Sequence, residues 1–191
     1  MKQTLISDKS YDRIVFVKNP LSKGEYENCN FNSCDFSGTD LSDIKFIDCI
    51  FSGCNLSLVK LVQTTFRDVK FEASKLLGLH FEDCNTFGLS FSFENCILDN
   101  TSFYKLVISD TIFNNSQLHG TDFTACDLSG AVFTNCDMAN AIFSNTIIEG
   151  ADFRTSRNYS IDPQLNRIKK AKFSLPEAIG LLDKYDIVID I

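Results

Sequence analysis

Large apolar residues recur at every fifth position along most of this chain, and very few folds can accommodate that period. From Tyr26 they run through Phe31, Phe36, Leu41, Phe46, Phe51, Leu56, Leu61, Phe66, Phe71, Leu76 and Phe81. After a shift of two residues they continue at Phe93, Leu98, Phe103, Ile108, Phe113, Leu118, Phe123, Leu128, Phe133, Met138, Phe143, Ile148 and Phe153. Phe16 keeps the first phase backwards, Phe173 keeps the second forwards, and Phe91 is a candidate last centre of the first run; of the phenylalanines only Phe87 has no place. A spacing of five is neither helical nor a multiple of the strand repeat, so the backbone must turn a corner once per repeat. Held over this length, the period outweighs local propensity.

The other phases carry matching chemistry. Two residues after each centre the chain favours residues that tolerate positive φ: Gly38, Gly53, Gly78, Gly88, Gly120, Gly130 and Gly150, with Asn100, Asn115, Asn135, Asn140 and Asn145. Two residues before each centre the side chain should also point inward, and it must be small. Cys, Thr, Ser and Ala fill that position, as at Thr101, Thr111, Ser116, Thr121, Ala131, Ala141 and Ala151. All eight cysteines share this phase, each preceding a large apolar residue except Cys84, which precedes Thr86. Cys29 and Cys49, like Cys34 and Cys54, are twenty residues apart. A metal or redox reading has no CxxC spacing and no histidine in phase, so small core filler is the favoured role and no cofactor is expected.

Ala151-Asp152-Phe153, Thr121-Asp122-Phe123 and Cys126-Asp127-Leu128-Ser129-Gly130 match the A(D/N)LxG pattern, and the chain resembles the pentapeptide repeat proteins over roughly residues 24–153. The resemblance implies an all-β fold, a right-handed quadrilateral β-helix with four pentapeptides per coil. Coils stacked at about 4.8 Å would give about seven turns and a rod roughly 34 Å tall. Its core centres would include Phe31, Phe36, Phe51, Phe103, Phe123, Phe133, Phe143 and Phe153. The carboxy-terminal stretch from Tyr159 also resembles the module that pairs rods end to end in Qnr-type quinolone-resistance and microcin-immunity proteins. Those relatives are regarded as DNA mimics that occupy the DNA saddle of a type II topoisomerase, DNA gyrase or topoisomerase IV, and so protect it from quinolones or a gyrase-poisoning peptide. This chain lacks the long loops of some Qnr rods, a departure that bears on drug protection more than on fold.

Length and composition fit one domain in three parts. Residues 1–23 are expected to form an amino-terminal cap, with Arg13–Val17 as a strand over the open end. Residues 24–153 form the repeat, broken at 82–92 by a two-residue excess that is either a tolerated insertion or a partner-binding protrusion carrying Phe87. Residues 154–191 form an irregular last coil, a short α-helix with Ser174 at its N-cap reaching about Lys184, and a strand-like tail from Asp186. Leu175, Ile179, Leu182, Ile187 and Ile189 are the candidate dimerisation residues, serving as core plug and homodimer interface at once. With neither a signal sequence nor a membrane span, the expected location is cytoplasmic.

The net charge of −7 is unevenly spread. Residues 76–153 hold ten acids and one base, Lys105, whereas acids and bases balance before them and bases are in slight excess after. The acids are Glu82, Asp83, Glu94, Asp99, Asp110, Asp122, Asp127, Asp137, Glu149 and Asp152, all at outward phases, with Asp110, Asp127 and Glu149 on one face or its corner. Such a field repels nucleic acid and suits a basic protein partner. Asp before the centre also belongs to the repeat pattern, so the acidity has a plain solubility reading as well. His80 and His119 sit at outward phases with no nucleophile, phosphate loop or ligand motif beside them, which argues against an enzyme. The remaining alternative is a protein–protein scaffold whose partner is not a topoisomerase.

Overall fold

The computed structural model describes residues 4–189, of which all but the carboxy-terminal turns form a continuous parallel solenoid, a right-handed quadrilateral β-helix. One face is a seven-stranded sheet of Ser10–Asp12, Asn30–Asn32, Ile50–Ser52, Val69–Glu72, Phe91–Glu94, Ile112–Asn114 and Val132–Thr134. A second is a four-stranded sheet of Leu5–Ser7, Glu25–Glu27, Lys45–Ile47 and Thr65–Arg67. The remaining faces are held by single bridges such as Asp35↔Asn55 and Asp122↔Ile142. Every pairing is parallel and joins residues one coil apart, as in Tyr26↔Phe46 and Phe113↔Phe133.

The repeat positions explain this geometry. Glycines 38, 53, 78, 88, 120, 130 and 150 all have positive φ, and so do Asn100, Asn115, Asn135, Asn140 and Asn145. Most corners therefore turn through the left-handed region two residues after a centre. The core phenylalanines 31, 36, 51, 103, 123, 133, 143 and 153 are all buried. Along the seven-stranded face, Tyr11, Phe31, Phe51, Phe71, Phe93, Phe113, Phe133, Phe153 and Phe173 form an unbroken stack with centroid spacings of 4.7 to 5.4 Å. Those spacings follow from the rise of one coil.

All eight cysteines are buried and free. The thiols of Cys29, Cys34, Cys49, Cys54, Cys96 and Cys136 donate to backbone carbonyls, as Cys54 does to Phe31 and Cys136 to Phe113. Beside them, small polar side chains accept main-chain N–H groups from the preceding coil: Cys54 N–H donates to Ser74 Oγ, Cys96 to Ser116 and Cys136 to Ser156. The small inward position thus does two jobs, filling space and satisfying buried donors between coils.

The phase break is resolved by an exchange inside the core. Thr86, where a centre should stand, is exposed, and Phe91 occupies the small position before Phe93 instead. Its ring lies 5.0 Å from Phe81 and 5.2 Å from Phe93 and is buried, filling space that an outward Thr86 leaves empty. A short 3-10 turn at Phe81–Asp83 leads into the bulge. The four-stranded sheet ends here: Asn85 and Ser90 donate to the Thr64 and Phe66 carbonyls but residues 85–90 form no strand, and below the break that face carries the single bridges Val107↔Asp127, Asp127↔Ile147 and Ile147↔Arg167.

Both ends depart from expectation. Arg13–Val17 is not a separate covering strand: Val15 bridges to Asp35 and Phe16 stacks on Phe36 at 4.5 Å, so this stretch is a side of the first coil. The periodicity extends upstream to Ile6 and Tyr11, whose lesser burial at the rod's end hid them among polar neighbours. At the other end the expected α-helix is two 3-10 turns, Glu177–Leu181 and Asp183–Tyr185. Gly180 explains the shortness: a Cβ there would collide with the Tyr159 carbonyl oxygen, and its own carbonyl accepts from Ile161 N–H. That close docking onto the last coil takes the place of a second helical turn. Ser174 makes no N-cap bond; its hydroxyl donates to the Arg154 carbonyl. Residues 186–189 form no strand, and the last two residues of the expected tail lie outside the described residues.

Candidate protein-binding surface

Each acid of the second half projects from a position one before, one after or two after a core centre, so stacking fixes its direction. Glu94 and Asp152 lie on the Phe113 face, Asp99 and Asp137 on the Leu118 face, and Glu82, Asp83 and Asp122 on the Phe123 face. Asp127 and Glu149 share the Leu128 face, with Asp110 at its corner: Asp110 N–H donates to the Ser129 carbonyl, and Gly130 N–H to that of Glu149. The acids therefore surround the rod as a belt, with one face carrying a vertical row.

Coil stacking also supplies partners that linear reading missed. Asp137 meets Arg157 at 3.0 Å, Glu149 meets Arg167 at 2.9 Å, and Asp152 meets Arg154 at 2.7 Å with Lys172 at 3.9 Å. Two of those cations, Arg157 and Lys172, stand one coil below their acids, so reading the chain at the coil period would have found them. Burial works to raise the Asp137 carboxyl, but hydrogen bonds from Asn158 and Arg157 outweigh it and hold the group below the usual range. The Arg154 side chain does the same for Asp152. His119 stands between Asp99 at 3.5 Å and Asp137 at 3.4 Å, and His80 lies 3.0 Å from Glu82.

Asp83, Glu94, Asp110, Asp122 and Asp127 have no Lys or Arg partner among the described residues. Asp122 accepts from Thr124 N–H at 2.8 Å, and Asp127 from Ser129 N–H and Oγ. Asn95, Asn114 and Asn115 donate to Glu94. Asp83 and Asp110 are exposed and Glu94, Asp122 and Asp127 half-buried, so the acids without a cationic partner gather between the phase break and the Asp127 coil.

At the carboxy-terminal end, Ile179, Leu182, Ile187 and Ile189 line one shallow cleft with Asp183 and Asp186. Leu175, grouped with them from sequence, is exposed but does not line that cleft. Lys184 bonds to Asp162 at 2.6 Å and clamps these turns to the last coil. Among the described residues no helix is long and apolar enough to cross a membrane.

Comparison with known proteins accords with this architecture. A family model described as "Pentapeptide repeat region" matches residues 25–92 and 90–159. The full-length structure of QnrB1, described as a plasmid-mediated fluoroquinolone resistance protein, superposes with a TM-score of 0.56 at 19% identity, covering 96% of this chain and 100% of that one. HetL, a pentapeptide repeat protein involved in heterocyst differentiation regulation in the cyanobacterium Nostoc sp. strain PCC 7120, gives 0.43 at 13% identity over 91% of this chain and 87% of its own. No curated protein sequence matches significantly. With two family matches that together span most of the repeat, and a coil register in which every fifth side chain turns inward, the chain belongs to the pentapeptide repeat family.

Proposed function

We propose that this protein is a non-enzymatic binding rod whose acidic coils stand in for duplex DNA on a type II topoisomerase, DNA gyrase or topoisomerase IV. The observation that carries the reading is the run from Glu82 to Asp152, ten acids with Lys105 as the sole base. That run spans about 17 Å of rod at the coil spacing of ~4.8 Å. Duplex DNA presents one phosphate charge per ~1.7 Å, about ten over the same length. Pairing of Asp137, Glu149 and Asp152 with Arg157, Arg167 and Arg154 leaves the rod at roughly half to two-thirds of duplex density. That suffices to attract a DNA-binding protein surface and to repel DNA itself.

The test is a supercoiling assay with purified gyrase, run with and without ciprofloxacin. Micromolar protein is expected to inhibit supercoiling or to relieve the drug's effect. The variant Asp83→Asn/Glu94→Gln/Asp110→Asn/Asp127→Asn is expected to bind at least ~10-fold more weakly, with a flatter salt dependence. Asparagine suits Asp110, whose φ is 58°, and can still accept the turn bond made by Asp127. Neither inhibition nor rescue by the unaltered chain would remove the topoisomerase reading.

A scaffold with an unrelated partner is the second reading. It is favoured by the acids already committed to their own turns, Asp122 and Asp127, whose carboxylates serve the corner as well as the field. Pairing of two rods through the Ile179, Leu182, Ile187 and Ile189 cleft completes the proposal. Sedimentation should give a dimer for the full chain and a monomer or aggregate for a chain lacking residues 174–191. A truncated chain that still sediments as a dimer would place the interface elsewhere.

A further inference from the structure

Phe87 breaks every rule the other phenylalanines obey. It is 76% exposed, at the tip of the bulge, in a chain whose remaining phenylalanines point inward. The bulge is nonetheless well held. Asn85 accepts from Phe87 N–H at 3.0 Å, Ser90 accepts from Asp68 N–H at 2.7 Å, and Ser90 N–H donates to the Phe66 carbonyl. The guanidinium of Arg67 lies over the Phe87 ring at 5.3 Å. Gly88, at φ +68°, sits directly on that arginine, where a Cβ would come within 3.1 Å of Nε. Arg67 Nε is buried with no hydrogen-bond partner among the described residues, while the side chain stays under the ring.

These features together make a rigid apolar knob. An aromatic side chain already fixed in place loses little freedom on binding, which is the condition under which a single residue anchors an interface. Its surroundings define what it fits. Asp83 and Asp68 flank the bulge, Asp110 and Asp127 follow on the same face with Lys105 the single cation at the corner below Asp83, and Val107 is 70% exposed in the next coil. A complementary surface carries an apolar socket set in a basic field.

We propose that Phe87 is the anchor that seats the rod on its protein partner, entering an apolar socket rimmed by lysine or arginine, while the acids supply long-range attraction. This rests on the topoisomerase reading above for the identity of the partner, and it assigns the short-range contact that charge alone lacks.

The test measures binding of the full chain to purified gyrase across a salt series. Phe87→Ala is expected to weaken binding ~30-fold, as for an interfacial anchor. The slope with salt should stay unchanged, because no charge is lost. Phe87→Leu should restore most of the affinity, and Leu58→Ala, at an exposed leucine on another side of the rod, should leave it intact. The melting temperature of each variant should match the parent, since neither residue is in the core. If the parent binds and Phe87→Ala binds equally well, the anchor assignment is overturned and the charge reading stands. If the parent does not bind, both fall together.

Discussion

Replacing Phe123 by alanine is expected to destabilise the protein by about 3–5 kcal/mol. The ring is buried between Phe103 at 5.3 Å and Phe143 at 5.1 Å, with Phe113 and Phe133 edge-on at 6.0 Å. In a solenoid each coil is stabilised mainly by its neighbours, so a cavity at this level weakens the coupling above and below it. Asp122→Ala next door should cost about 0.5–1 kcal/mol, the loss of one half-buried turn bond from Thr124 N–H. Urea unfolding of the two variants, followed by circular dichroism, decides the matter. The phenylalanine variant is also expected to show a broader transition, as the two halves of the rod uncouple. Equal losses at both positions would mean that the inward phase has been misassigned.

A second large effect concerns alkaline pH. Burial pushes the Cys49 and Cys54 thiols up to about 12 and those of Cys96 and Cys136 up to about 11, and it raises Cys34, Cys84 and Cys126 as well. Once the pH passes the ordinary thiol value, near 9, the unfolded chain releases these protons while the folded chain retains them. The native state is then disfavoured by about 1.4 kcal/mol per pH unit for each thiol, until its folded value is reached. Stability is therefore full below about pH 9 and declines steeply above it. By pH 10.5 each strongly shifted thiol removes about 2 kcal/mol, and several together rival the whole stability of a domain this size. Thermal melts between pH 7 and 10.5 should show a collapse beginning near pH 9, and replacing Cys49 and Cys54 by alanine should make the fall shallower. At pH 8 the native thiols should resist a disulfide reagent until denaturant is added, because the thiolate is the reactive form. A melting temperature that stays flat to pH 10.5 would contradict the burial assigned to these groups.

The acidic belt and the bulge differ in how far sequence could specify them. That the ten acids face outward follows from their phases, and that Asp110, Asp127 and Glu149 share a face follows from counting coils. That Asp137, Glu149 and Asp152 are neutralised depends on Arg157, Arg167 and Arg154, which lie in the stretch where the repeat lapses. Arg157 is reached by counting one coil from Asp137, whereas Arg154, two residues from Asp152, and Arg167, eighteen from Glu149, are placed by side-chain direction that the lapsed pattern does not give. The bulge was visible as a two-residue excess around Thr86. That Phe91 would turn into the core and Arg67 would support Phe87 required the space between coils to be known.

Read alone, the chain determined its coil: a period of five forces a corner per repeat, glycine and asparagine mark where it turns, and the small inward position follows from the width left beside each centre. Tertiary structure decided what happens where that period fails. At both ends and at the break, side chains answer to neighbours a coil away, as Gly180 does to Tyr159 and Phe91 to Phe81. Local pattern carries no record of such contacts, because packing between coils depends on shape and volume brought together only after the coil has closed.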